Sequence, residues 1–244
     1  LLASGPTAAG SQTLNLTIAA GATTSPQFYV QSLASTGTVQ VTVEVLTSPN
    51  PGYGGGTPLT VTLVPTAFEL YCTGTGCSFA SNQYSLATTA LSSPTLFYIQ
   101  ALAIDPAVTT NNRIQVQDVR GGFTLNLPLT LTNANLGAFR AYTGGQPGSV
   151  ITSLPIAGGE YYTYFYFDPA GAGNGTIGFT KPAGSGTPLN GGTAYLQASP
   201  VTVTGTLVEF SDNAQSIGKD LQLANSVRIP GAAPAGGLSL RLSA

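Results

Sequence analysis

The sequence predicts an all-β protein: an Ig-like or jelly-roll antiparallel β-sandwich with an N-terminal extension strand. Three observations carry this prediction. Apolar and polar residues alternate with period two in segment after segment, as in Thr38–Leu46, where Val39, Val41, Val43 and Val45 share one face. The alternating residues are largely β-branched, which suits a pleated surface and disfavours helix. Gly, Pro, Ser and Asn separate these segments at short intervals, the punctuation of a sandwich or barrel.

The elements follow in order. Thr13–Ala20 places Leu14, Leu16 and Ile18 on one face and Asn15 and Thr17 on the other, after a lead (1–10) too small-chained to build a core. Gln27–Gln31 and Thr38–Leu46 are strands, and residues 48–58, with Pro51 and three glycines at 54–56, form a long turn. Leu59–Leu63 alternates, and Ala67–Tyr71 leads into Cys72. Thr95–Ile104 is apolar on both faces, which predicts a central strand. Arg113–Val119 and Phe123–Thr132 alternate again. Pro128 lacks an amide donor, which predicts an edge or a bulge there.

The run Tyr161–Phe167 is a dense aromatic strand. A run of that length puts aromatics on both faces, so half or more of Tyr161, Tyr162, Tyr164 and Tyr166 are expected in the core rather than on a sugar-binding platform. Thr176–Thr180, Ala194–Gln197, Val201–Phe210, Val227–Ile229 and Leu238–Leu242 complete the strands. Asp212–Leu223 is the one segment with helical character, weakened by Gly218. The expected organisation is a lead and donor strand over 1–22 followed by a sandwich over 23–244, with two sandwiches split near residue 121 as the alternative. Thr-Leu-Asn-Leu occurs at 13–16 and again at 124–127, and Asp-Pro-Ala at 105–107 and 168–170. The spacings differ, and chance in a restricted β alphabet accounts for the echoes better than duplication.

Composition narrows the function classes. Only 7% of the 244 residues are charged, and the net charge is −2. Ordinary globular chains carry about 25% charge, and nucleic-acid binding needs a basic patch that these scattered cations do not form. Hydrophobic residues make up 42% of the chain, enough to fold. The surface is therefore neutral and polar, which suits a packed assembly or a glycan-coated exterior. No stretch approaches the ~20 apolar residues of a membrane-spanning helix. The missing initiator Met is expected from removal of an export signal. Cys72 and Cys77 enclose Thr-Gly-Thr-Gly and are expected to form one disulfide.

Chemistry has little to work with. The chain has no His, so Ser/His and Cys/His nucleophile arrangements do not arise. The nine carboxylates stand singly with no Asp-x-Asp spacing, and no metal site, cofactor or catalytic residue is expected. Asp105 and Asp168 precede Pro and are expected to form turns. Lys181 or Lys219 would need burial beside Asn and a carboxylate to form an isopeptide crosslink. Asn15-Leu-Thr17 and Asn174-Gly-Thr176 are acceptor sequences for N-linked glycans, Asn174 in an expected exposed turn.

The opening reads as a strand at Leu14–Ile18, an Ala19-Ala20-Gly21 turn, Phe28-Tyr29-Val30, and then Gly37-Thr-Val-Gln-Val-Thr-Val43. This resembles the start of Ig-like and jelly-roll domains in secreted prokaryotic proteins. With the low charge and the Thr/Gly richness, the chain resembles archaeal surface-filament subunits (threads and bundling pili) and related bacterial matrix fibres. The resemblance rests on pattern and composition, not on a diagnostic motif. It implies an extracellular, cell-surface homopolymer joined by donor-strand complementation, with Leu14, Leu16 and Ile18 as the donated side chains. Leu238–Leu242, which also alternates after a loose lead, is the rival donor. The alternative functions are a surface-layer or jelly-roll virus capsid protein, or a carbohydrate-binding adhesin domain.

Overall fold

Strict alternation buries one face of each strand, and two such faces must meet. A computed structural model describes residues 1–46, 55–205, 208–212, 215–220, 222–229, 237 and 239–243. Its first elements are two small antiparallel pairs: β1 (Leu2–Ala3) with β2 (Tyr29–Val30), and β3 (Gly37–Val41) with β4 (Leu59–Leu63). Next come β5 (Thr66–Thr73), β6 (Cys77–Ala80), β7 (Gln83–Thr89), β8 (Thr95–Ile104), β9 (Arg113–Val116) and β10 (Thr124–Leu131). A single 3-10 turn at Ala134–Leu136 leads into β11 (Gly137–Thr143), β12 (Gln146–Ile151), β13 (Ser153–Ala157), β14 (Tyr162–Pro169) and β15 (Gly173–Phe179). A minor pair, β16 (Leu189–Asn190) with β17 (Thr193–Ala194), precedes β18 (Ser199–Thr204). A last pair joins β19 (Glu209–Phe210) to β20 (Val227–Arg228).

The long strands form two sheets, ordered β13-β10-β15-β18-β7-β6 and β12-β11-β14-β8-β5. β9 joins the second sheet by pairing with β8 beyond the end of β14. Every pairing between neighbours is antiparallel except β18 with β7. Strands from both sides of residue 121 enter both sheets, so residues 66–204 build one sandwich. Its core draws Phe68 and Leu70 from β5, Phe97 and Ile99 from β8, Phe165 and Phe167 from β14, and Leu127, Ile156, Ile177 and Val201 from the facing sheet.

Several expectations meet the structure directly. β8 spans Thr95–Ile104 and is central, between β5 and β14. β10 is internal rather than an edge, because Pro128 sits where its partner changes. The β13 register runs from Thr124 to Pro128 and the β15 register from Leu129 onward. The missing amide therefore falls just beyond the end of the β15 ladder. Thr38–Leu46 is regular only to Val41, and residues 48–54 of the expected turn lie outside the described residues.

The expected helix at Asp212–Leu223 does not form among the described residues of that segment. Gln215 bonds back to Asp212, Asn225 bonds to the Asp212 carbonyl oxygen, and Asp220 takes a φ of 64°. Short polar side chains that bond the backbone compete with helix, and no apolar face is packed to oppose them.

Cys72 and Cys77 are joined, with their Cα atoms 5.8 Å apart. The bond ties β5 of one sheet to β6 of the other at the corner where the chain crosses, with Gly74 and Gly76 supplying positive φ. Replacing both cysteines with Ser is expected to cost about 2 kcal/mol by loop entropy. Phe165→Ala, which empties a fully buried site, is expected to cost about 3–5 kcal/mol. Urea unfolding followed by tyrosine fluorescence measures both.

Candidate assembly surfaces

The three aliphatic residues proposed for donation lie in an extended segment with no strand partner. Ser11 bridges to Leu2, but residues 13–19 join no ladder. Leu16 is 38% and Ile18 55% exposed, and Leu14 is half-buried. Asn15 is exposed in the same segment. The rival tail behaves similarly in part: Leu240 and Leu242 are exposed and outside any strand, and Leu238 lies outside the described residues.

The lead before this segment is docked. Thr7 accepts from the Gly122 amide at 3.0 Å, and the Gln31 side chain donates to the Ala8 carbonyl at 2.8 Å. A Cβ at Gly121 would lie 2.2 Å from the Ala8 oxygen, so only glycine admits the lead there. Residues 1–11 thus fix the base of the segment to the sandwich, while 13–19 pair with no strand.

Beside this base lies a groove of about 750 Å³. Leu33, Val61, Leu63, Leu102, Phe123 and Leu125 are among the residues that line it. Among the described residues β4 pairs only with β3, and β9, just before the groove wall, only with β8. The outer edges of β4 and β9 are therefore open to further pairing.

Asn174 lies in β15 rather than in the expected turn. Its side chain is exposed, and its Oδ1 accepts from the Thr202 hydroxyl at 2.8 Å. Asp105 does form a turn, accepting from the Ala107 amide, whereas Asp168 pairs with Arg140 at 2.5 Å. Lys181 is half-buried and donates to the Gly186 carbonyl and Thr187 hydroxyl; burial lowers its pKa. Among the described residues no group of three or more His, Cys, Asp or Glu comes together. No described helix is long and apolar enough to cross a membrane.

No sequence pattern points to the cluster around Glu69. This carboxylate is fully buried and accepts from the Tyr71 hydroxyl at 2.7 Å, the Gln100 amide at 2.8 Å and Arg113 at 3.0 Å. Arg113 also lies over the Tyr195 ring, 5.3 Å from its centroid. A buried carboxylate needs such company.

The aromatic run divides by type. Phe165 and Phe167 point into the core, while Tyr162, Tyr164 and Tyr166 share the outer face. The tyrosines therefore do not contribute half their number to the core. Only Tyr166 is buried, and its hydroxyl donates to the Gly145 carbonyl.

No protein-family model matches the chain, and no curated protein matches it in sequence.

Burial, the hydrogen bond to Glu69 and that carboxylate's charge raise the Tyr71 pKa well above its ordinary 10.0. In the unfolded chain Tyr71 ionises near 10, while in the folded protein it stays protonated. The stability this contributes is full below pH 10 and falls as pH rises beyond it. The melting temperature of the native protein is expected to drop above pH 10, and that of Tyr71→Phe to drop less steeply.

Proposed function

We propose that the chain is a structural subunit of an extracellular surface filament, which grows head to tail as residues 13–20 of one copy add a strand to the next. The carrying observation is one tetrapeptide in two settings. Thr-Leu-Asn-Leu at 124–127 forms the start of β10, paired with β13, with Leu127 fully buried. The same four residues at 13–16 have no strand partner, and Leu16 is 38% exposed. The sequence is competent to form a strand, and what it lacks at 13–16 is an edge to join.

The groove beside the docked lead is the proposed receiver. Inserting Leu14, Leu16 and Ile18 removes three aliphatic side chains from water, worth roughly 1.5–3 kcal/mol each as an upper bound. Ladder hydrogen bonds add to this. Each subunit offers its own segment at one place and its groove at another, so the contact is heterologous and extends as a fibre instead of closing. In this reading the chain carries no catalytic residue and no cofactor, and its partners are copies of itself. Any glycans at Asn15 and Asn174 belong on the outside of the fibre.

Replacing Leu14, Leu16 and Ile18 together with Ser leaves the docked lead intact. The variant is expected to remain monomeric by light scattering, under conditions where the native chain forms threads in negative-stain images. A peptide of residues 11–22 in excess is expected to stop elongation. Normal threads from the triple variant, or native assemblies that are flat lattices or closed shells, would overturn the proposal.

A further inference from the structure

Thiols and thioethers are the usual first targets of oxidation. This chain has no Met, Trp or His, and its two cysteines are already joined to each other. Tyrosine is therefore the side chain left for an oxidant to attack. Eight of the eleven tyrosines form one connected set of rings, each with its centroid within 6.5 Å of another's. The rings face one another rather than solvent, which makes the set a path for electrons.

The path has two open ends. Tyr142 is 41% exposed and lies 5.1 Å from Tyr164. Tyr161 is 38% exposed and reaches Tyr164 through Tyr162, in steps of 4.6 and 5.2 Å. Tyr164 is opposite Tyr98 across β14 and β8, at 5.6 Å, and Tyr98 is opposite Tyr71 across β8 and β5. There the two half-buried rings lie parallel, 4.5 Å apart. At this inner end Tyr71 donates to Glu69 at 2.7 Å, and its oxygen accepts from the Gln100 amide at 2.9 Å. Burial and Glu69 keep the resting phenol protonated. A phenol that has lost an electron is a strong acid, however, and Glu69 is placed to take its proton while Gln100 holds the phenoxyl oxygen.

We propose that Tyr71 and Tyr98 are an oxidative coupling site: a one-electron oxidant of the peroxidase class takes electrons at Tyr142 or Tyr161, the row refills them from within, and Tyr71 and Tyr98 join as dityrosine. Two oxidations are needed. Each removes one electron, which passes to the oxidant, and one phenolic proton, which leaves Tyr71 by way of Glu69 and leaves Tyr98 to water. The two phenoxyl radicals pair their electrons in one carbon–carbon bond between ring positions ortho to the oxygens. The hydrogens on those two carbons then move to the oxygens and restore both phenols, so the product is lighter by two hydrogens. Two rings joined in this way have their centroids at nearly the separation that the parallel pair already shows. Tyr161 and Tyr162 are as close but meet at 61°, edge against face. The link ties the central strand β8 to β5, the strand that the disulfide ties to β6.

The site lies within one chain, so it holds whether or not the subunits exchange strands. The test treats the full chain, at a concentration where it is monomeric, with a peroxidase and hydrogen peroxide. An oxidant of protein size meets only exposed phenols. Proteolysis and mass spectrometry after disulfide reduction map the links. The expected product is a peptide pair joined through Tyr71 and Tyr98, lighter by two hydrogens and showing dityrosine fluorescence. Tyr71→Phe and Tyr98→Phe keep the ring and should each abolish that link. Tyr142→Phe combined with Tyr161→Phe leaves the pair intact but closes both entrances, and should cut the yield by more than half. Thermal melting checks that the variants are folded, and the map of the native chain decides even where one is not. Three results would each refute the proposal: no dityrosine in the native chain, links confined to other tyrosines or to pairs of chains, or an undiminished Tyr71–Tyr98 link in the double variant.

Discussion

The packing of Phe97, Phe139, Phe165 and Phe167 between the two sheets is the constraint on which the rest depends. Phe97 and Phe165 stack at 5.5 Å, and Phe139 meets Phe165 edge-on at 5.6 Å. Alternation has period two, so fixing these rings inward fixes their neighbours outward. A slip of one residue in β14 would bury Tyr162, Tyr164 and Tyr166 and expose Phe165 and Phe167. The core therefore sets the outer tyrosine ladder as well as the sheet register. The aligned row Tyr71–Tyr98–Tyr164 follows from the phenylalanine contacts beneath it.

Legibility followed contrast between the two faces. Leu59–Leu63 and Thr95–Ile104 are strands with the bounds their pattern predicts, because each is apolar enough to stand out from its flanks. β7, β11, β12 and β13 were not recognisable. Gln146-Pro-Gly-Ser-Val-Ile carries both Pro and Gly, and Gly137-Ala-Phe-Arg-Ala-Tyr-Thr offers one large core side chain, Phe139. Such strands are specified by their neighbours in the sheet, which a single chain pattern does not display. The division of the aromatic run was within reach: Phe and Tyr alternate over Tyr164–Phe167, and the hydroxyl is what separates a wet face from a dry one. The Glu69 cluster was out of reach, since Glu69, Gln100 and Arg113 are brought together only by the pairing of β5 with β8 and of β8 with β9.

Low charge places the burden of edge protection elsewhere. Sheet edges usually carry charged side chains that block pairing with other chains, and a chain with 7% charged residues has few to spend. The sandwich uses covers and prolines. The outer edge of β5 is closed by residues 186–197: the Gly186 amide donates to Thr66, the Gln197 side chain donates to Phe68, and the Leu70 amide donates to Leu196. β12 and β13, at the far edges of the two sheets, contain Pro147 and Pro155. β6 is only four residues long.

This pattern of closed edges bears on where pairing between copies can occur. With both sheets blunted, open backbone among the described residues lies in the N-terminal segment, in β9 and in small isolated pairs such as β3–β4. The N-terminal segment combines three properties: an alternating aliphatic face, no ladder partner, and a base fixed to the body by contacts at Gly121 and Gly122. A strand anchored at one end and unpaired along its length pays less entropy on joining a neighbour than a wholly loose tail does. The C-terminal alternative, Leu238–Leu242, follows a Pro/Gly/Ala lead whose residues 230–236 lie outside the described residues. The docked lead therefore favours the N-terminal segment as donor as much as the pattern of Leu14, Leu16 and Ile18 does.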